Sequence, residues 1–132
     1  QYDGHFFPSS GMRTEYGPSR RHKAYGTNIN VPLDKQASDF DVLYALRRMV
    51  WEMVAKFKPD IAFYAVGTDG VAGDKANNST IFTPSLYGQI AYELTKYTNL
   101  IVVTTEGGYT TQFLADGMSC VLHGLTGNID TN

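Results

Sequence analysis

Two short stretches of this sequence hold the residue types that chemistry needs. Gly67 to Ser79 is rich in Gly, Asp and Asn and carries Asp69 and Asp74. Glu106 to Thr110 carries Glu106 and Tyr109 behind a pair of glycines. A carboxylate at the end of a buried strand can be held rigidly against a hard or borderline cation. From spacing alone, an Asx-turn or capping bond is the simpler role for Asp69. A Tyr after Gly-Gly is, on the same footing, a packed loop aromatic.

The elements that must position these loops can be read from periodicity. Leu43, Leu46, Val50, Val54 and Phe57 recur at helical spacing, which predicts a helix from Ser38 to Lys58. Ser38 or Asp39 serves as its N-cap, and Pro59 stops it. Ile61 to Val66 is a short apolar run, which suits a strand buried on both faces. Thr83 caps a second helix with Pro84 at its first position, where the missing N–H costs nothing. Leu86, Ile90 and Leu94 share one face of it. Leu100 to Val103 is a second apolar strand, and a last helix covers about Thr111 to His123. Phe113, Leu114, Met118, Val121 and Leu122 are its candidates for burial. Upstream, Gln1 to Gly26 reads as loop, and Thr27 to Val31 is a strand candidate ended by Pro32. Helices alternating with strands predict an α/β fold with a parallel sheet and right-handed crossovers. Ligands of such sheets sit beyond the carboxyl ends of the strands. Both loops lie there.

Four patterns then line up in order: Phe6-Phe7-Pro8-Ser9-Ser10-Gly11, Asn28-Ile29-Asn30-Val31-Pro32-Leu33, Phe57-Lys58-Pro59-Asp60-Ile61 running on to Gly67-Thr68-Asp69-Gly70-Val71-Ala72-Gly73-Asp74, and Glu106-Gly107-Gly108-Tyr109. Each is weak alone. Together, over essentially the whole chain, they resemble the second half of the catalytic domain of the zinc-dependent histone deacetylases, with the related acetoin utilisation proteins and acetylpolyamine amidohydrolases. The resemblance implies the three-layer parallel-sheet fold shared by arginases and deacetylases. It implies that residues 1–132 are the C-terminal part of one catalytic domain.

It also implies roles. The family's mechanism uses one Zn2+ held by two Asp and one His. Asp69 matches the second Asp ligand. Tyr109 matches the tyrosine that polarises the substrate carbonyl, by donating a hydrogen bond as negative charge builds on the oxygen. Gly107 and Gly108 let the backbone pass close to the site, and Gly108 counts among the substrate-binding positions. Phe7 matches an aromatic wall of the tunnel that takes the acyl-lysine stem, an apolar wall suiting a methylene chain; packing in a core is its other reading. Asp74 is expected to brace its loop through backbone N–H groups, and Glu106 to be structural. The sequence departs from many members at the tunnel rim. Ala76 stands where they carry a larger apolar residue, between Lys75 and the Asn77-Asn78 pair, which would make the mouth wider and more polar.

The family's Asp-x-His ligand motif and tandem histidines are not found. The histidines are His5, His22 and His123. Asp3-Gly4-His5 fits Asp-x-His by letter, but it leads into the aromatic loop and lacks the family's continuation. Catalytic zinc sites use three protein ligands, so zinc requires ligands from an N-terminal segment outside these 132 residues. The opening Gln1, in place of Met, agrees with a fragment or a processed chain. A half-sheet alone would expose unpaired edges and an apolar face, so the isolated chain is expected to be poorly stable and inactive. The expected substrate is acetylated lysine in a protein, with acetylated polyamine as one alternative and a non-catalytic scaffold as another.

Bulk properties narrow the remaining classes. Net charge is -2, which gives no general attraction to nucleic acid or anionic membrane. The basic run Arg20-Arg21-His22-Lys23 reads as a solvated loop. One cysteine, Cys120, excludes an internal disulfide and suits a reducing compartment. No membrane-length apolar stretch or secretory pattern is seen, so an intracellular, cytoplasmic or nuclear, location is expected.

Overall fold

Ser38 starts the helical region through its partner three residues on. The Asp41 carboxylate accepts from the Ser38 N–H at 2.8 Å and from its hydroxyl at 2.7 Å. These bonds, the N–H first, hold the Asp41 carboxyl below its ordinary value. In the computed structural model, which describes residues 9–77 and 79–128, the elements that follow are α1 (Asp39–Ala45), a π-helical turn (Leu46–Val50), α2 (Trp51–Phe57), β1 (Ala62–Val66), a 3-10 turn (Thr68–Gly70), α3 (Pro84–Thr95), β2 (Ile101–Thr105) and α4 (Thr111–Leu125). The predicted helix from Ser38 to Lys58 is thus two α-helices joined by a π turn. It ends on Lys58 in the left-handed region, φ 52°, and Pro59 prevents continuation.

The chain divides into two units, Gln1–Lys35 and Gln36–Asn132. In the first, the strand expected at Thr27 to Val31 does not form. Side chains take the place of a ladder there: the Asn28 amide donates to the Glu15 carbonyl, and the Asn30 amide donates to the Met12 carbonyl at 2.9 Å. Competition of this kind is what makes Asn a poor strand former. Arg20, Arg21, His22 and Lys23 are all exposed, as a solvated turn requires.

In the second unit β1 and β2 pair in parallel, from Ala62 opposite Ile101 to Val66 opposite Thr105. Helix α3 is the crossover between them, so the fold is α/β with a parallel sheet. Val66, Val71, Tyr87, Ala91 and Val121 form the core, flanked by Tyr64, Val103, Phe113, Met118 and Leu125. Helices α3 and α4 therefore cover one face of the sheet. The other face is open: Phe63 is 71% exposed, and Ala65, Val102 and Thr104 are exposed beside it. The expectation that Ile61 to Val66 is buried on both faces is corrected accordingly, because α3 and α4 lie on one side of the sheet. Phe57 and Leu122, placed inward by spacing, are 78% and 61% exposed.

Helices α3 and α4 pack backbone against backbone. A Cβ on Gly88 would stand 2.5 Å from the Cys120 carbonyl oxygen, and one on Gly124 would fall on the Gly88 carbonyl oxygen. Gly124→Ala gains about 1 kcal/mol of helix propensity. It must also push α3 and α4 apart where their contact is already closed, which costs roughly 1–3 kcal/mol for an overpacked core, more where backbone is displaced. A lowered denaturant midpoint in the complete protein is the expected outcome; a raised one would show that α3 and α4 separate freely. No helix among the described residues is long and apolar enough to cross a membrane.

Candidate active site

The two loops leave the sheet side by side, because β1 and β2 end in register at Val66 and Thr105. The pairing continues past the strands. The Glu106 N–H donates to the Val66 carbonyl at 2.8 Å, and the Thr68 N–H donates to the Gly107 carbonyl at 2.8 Å. The 3-10 turn then carries Asp69 back over the sheet end.

Two glycines leave room for the Asp69 carboxylate. A Cβ on Gly67 would stand 2.8 Å from Asp69 Oδ1, and one on Gly107 would stand 2.5 Å from Oδ2. The first loop thus presses its carboxylate against the backbone of the second. Among the described residues, the Asx-type bonds of this loop are made by Asp74 and Asn77. Ala76 N–H donates to Asp74 Oδ1 at 2.9 Å, and Ser79 N–H to Asn77 Oδ1 at 2.8 Å. These bonds brace the loop that carries Asp69.

Asp74 staples the loops together, as a bracing residue should. It is 5% exposed. Its Oδ2 accepts from the Tyr109 N–H at 2.9 Å and from the Thr110 N–H at 2.8 Å, across 35 and 36 residues of chain. The Lys75 N–H adds a bond to Thr110 Oγ1 at 3.2 Å. Burial pushes the Asp74 carboxyl up, but the backbone N–H groups of Ala76, Tyr109 and Thr110, together with the Thr110 hydroxyl, outweigh it, and the net direction is down. The staple is complete above the ordinary carboxyl range and is lost as pH falls through the lowered value.

Tyr109 follows Gly107 by two residues, with its N–H fixed by Asp74 and its side chain 60% exposed. Gly108 holds φ 140°, a conformation that favours glycine. A Cβ there would fall on Thr68 Oγ1. Ala76 is half-buried in the first loop. Glu106 is exposed and accepts from Thr104 Oγ1 at 3.2 Å, a bond to its own strand. Phe7, with Asp3 and His5, lies outside the described residues. Asp69, Ala76, Gly108 and Tyr109 thus lie in two loops at one sheet end.

Three residues of this site were not singled out from sequence. Asn77, read only as rim polarity, donates through one amide nitrogen to the carbonyls of Gly70, Val71 and Thr80 at 3.0, 2.7 and 2.8 Å. Tyr87 of α3 is buried below the 3-10 turn, where a Cβ on Gly70 would stand 3.3 Å from its hydroxyl. Burial first, then the charges of Asp69, Asp39 and Asp74, pushes its phenol far above the ordinary range. Thr68 is fully buried between the loops. Asn in a loop or Tyr on a helix face gives no signal that either will meet this turn.

Among the described residues, no group of three or more His, Cys, Asp or Glu side chains could hold a metal ion. His22 accepts through Nδ1 from the Ala24 N–H at 3.1 Å, and His123 is exposed in the last turn of α4. The donor set suits a metal only as one carboxylate, Asp69, of a larger shell.

Comparison with known proteins decides the family. The histone deacetylase domain model matches residues 1–125. The chain belongs to the histone deacetylase family. It is 29% identical over 130 residues to histone deacetylase 4 of Caenorhabditis elegans, covering 96% of this chain and 15% of that protein. It is 33% identical over 105 residues to the acetoin utilization protein AcuC of Staphylococcus aureus strain Mu50, covering 77% of this chain and 26% of that protein. The crystal structure of the HDA15 HD domain superposes with a TM-score of 0.87 at 25% identity, over 98% of this chain and 37% of that one. The chain thus spans about a quarter or less of the curated relatives it matches, and its fold is a portion of the histone deacetylase fold.

Proposed function

We propose that this chain is the C-terminal part of the catalytic domain of a zinc-dependent deacetylase that removes acetyl groups from lysine side chains of histones or other proteins. The observation that carries the reading is the meeting of the two loops: the Asp69 carboxylate packs against Gly107, and the Asp74 staple fixes the backbone of Tyr109 two residues further on. Family membership supports the deacetylase chemistry.

Asp69 would contribute one carboxylate to Zn2+. The other ligands, and the histidines that move protons, would come from residues outside this chain, so the isolated chain is inactive. Zinc, when bound, supplies Lewis acidity and a lowered pKa for water. Tyr109 would donate its phenol hydrogen bond to the carbonyl oxygen as charge builds there. Gly108 lets the Tyr109 loop pass close to the acyl group. Phe7 would wall the tunnel for the lysine stem, and Ala76 would leave a wider mouth.

The test is amide hydrolysis by the complete domain, on an acetyl-lysine peptide and on an acetylated polyamine, before and after zinc chelation. Hydrolysis of the peptide that stops on chelation and returns with Zn2+ is the expected result. Turnover of the polyamine alone would move the substrate class to small molecules. Absence of both activities in a zinc-loaded domain would favour a scaffold and end the enzymatic reading.

A further inference from the structure

Thr68 is fully buried between the two loops and α4, and its N–H is committed to the Gly107 carbonyl. Each branch of its side chain faces a glycine. A Cβ on Gly117 of α4 would stand 2.7 Å from Thr68 Cγ2, and a Cβ on Gly108 would fall on Thr68 Oγ1. The side chain is therefore a wedge between α4 and the loop that carries Tyr109. It stands immediately before Asp69 in the chain.

The Thr68 hydroxyl has no hydrogen-bond partner among the described residues. A buried hydroxyl without a partner costs stability, so among the described residues its contribution is not a bond. It is size. An oxygen is smaller than the methyl that Val would place there, and Gly108 comes so close to that oxygen that a Cβ on it would overlap it. A methyl would push Gly108 outward, and Tyr109 with it.

We propose that Thr68 is a positioning residue, whose small buried oxygen seats Gly108 and so sets the spacing between Asp69 and Tyr109. The inference rests on the deacetylase reading of those two residues. It adds a specific determinant of their geometry.

The experiment uses the complete deacetylase domain with Thr68→Val and Thr68→Ser, each alone and combined with Tyr109→Phe. Zinc content, Tm, kcat, KM and amide hydrogen exchange at Gly108 and Tyr109 are measured. Thr68→Val loses the unpartnered hydroxyl but crowds Gly108, two effects that oppose each other in Tm, so Tm stays near wild type and zinc is retained. Its kcat falls roughly 10- to 100-fold, the scale of a small misplacement, while KM changes little. Exchange at Gly108 and Tyr109 quickens. With Tyr109→Phe already present, Thr68→Val has little left to remove. Thr68→Ser keeps the oxygen and most of kcat. Wild-type kcat and exchange in Thr68→Val would overturn the proposal, as would a kcat loss that persists in full beside Tyr109→Phe. Should the valine variant fail to fold, Thr68→Ser against Thr68→Ala decides: both lack Cγ2 and only serine keeps Oγ1, so equal kcat and equal exchange refute the seat. If the wild-type domain neither holds zinc nor hydrolyses amide, the deacetylase reading fails, and the exchange arm alone decides whether Thr68 seats Gly108.

Discussion

Replacing Tyr109 by Phe in the complete deacetylase domain is expected to lower kcat about 10²- to 10³-fold, the usual cost of one donor to a developing oxyanion. KM is expected to change little, since the ring remains and only the hydroxyl is lost. A hydrogen bond that strengthens in the transition state lowers kcat and kcat/KM together when removed. The backbone of the loop is unaffected by the change. Asp74 holds Tyr109 and Thr110 by their N–H groups, at 2.9 and 2.8 Å, and a Phe at 109 keeps both bonds. Steady-state kinetics on an acetyl-lysine peptide check this. An undiminished kcat would remove Tyr109 from the chemistry.

Asp69→Ala is expected to abolish zinc retention. A catalytic zinc uses three protein ligands, and losing one of three leaves too few to hold the ion against water. The substitution also empties the space between Gly67 and Gly107 that the carboxylate fills, so the loops lose a packing contact as well as a charge. Metal analysis of the purified domain separates these effects. Near-zero zinc with the Tyr109 and Thr110 amides still protected, as the Asp74 staple predicts, places the loss at the ligand. Zinc at the wild-type level would refute the assignment of Asp69. Hydrolysis should vanish in parallel with the metal, about 10²-fold or more below wild type, the upper end of what even outer partners of a metal site cost.

Much of the architecture was legible because it is written in local patterns. Pro84 behind Thr83 marks the first turn of α3, and α3 begins at Pro84. The apolar runs at Ile61 and Leu100 become β1 and β2, each shifted by one residue at its start. Thr27 to Val31 misled because strand propensity is realised only with a partner strand, and the Asn28 and Asn30 amides bond to the carbonyls of Glu15 and Met12 instead. The π turn from Leu46 to Val50 could not be read from Leu43, Leu46, Val50 and Val54, whose spacings of three and four also fit an unbroken α-helix.

By itself the sequence determined the order of helices and strands, their parallel arrangement, the two loops beyond the strand ends, and the family. These follow from periodicity, from Pro and Gly, and from motif residues, all properties of neighbours along the chain. Only the tertiary structure decided which side of the sheet is covered and which bonds hold the loops together. It put the Asp69 carboxylate against Gly107, the Asp74 oxygens on amides 35 and 36 residues away, and Thr68 beneath Gly108. Such contacts depend on how close two backbones come, and that distance is fixed by packing across the fold rather than by any residue's own preference.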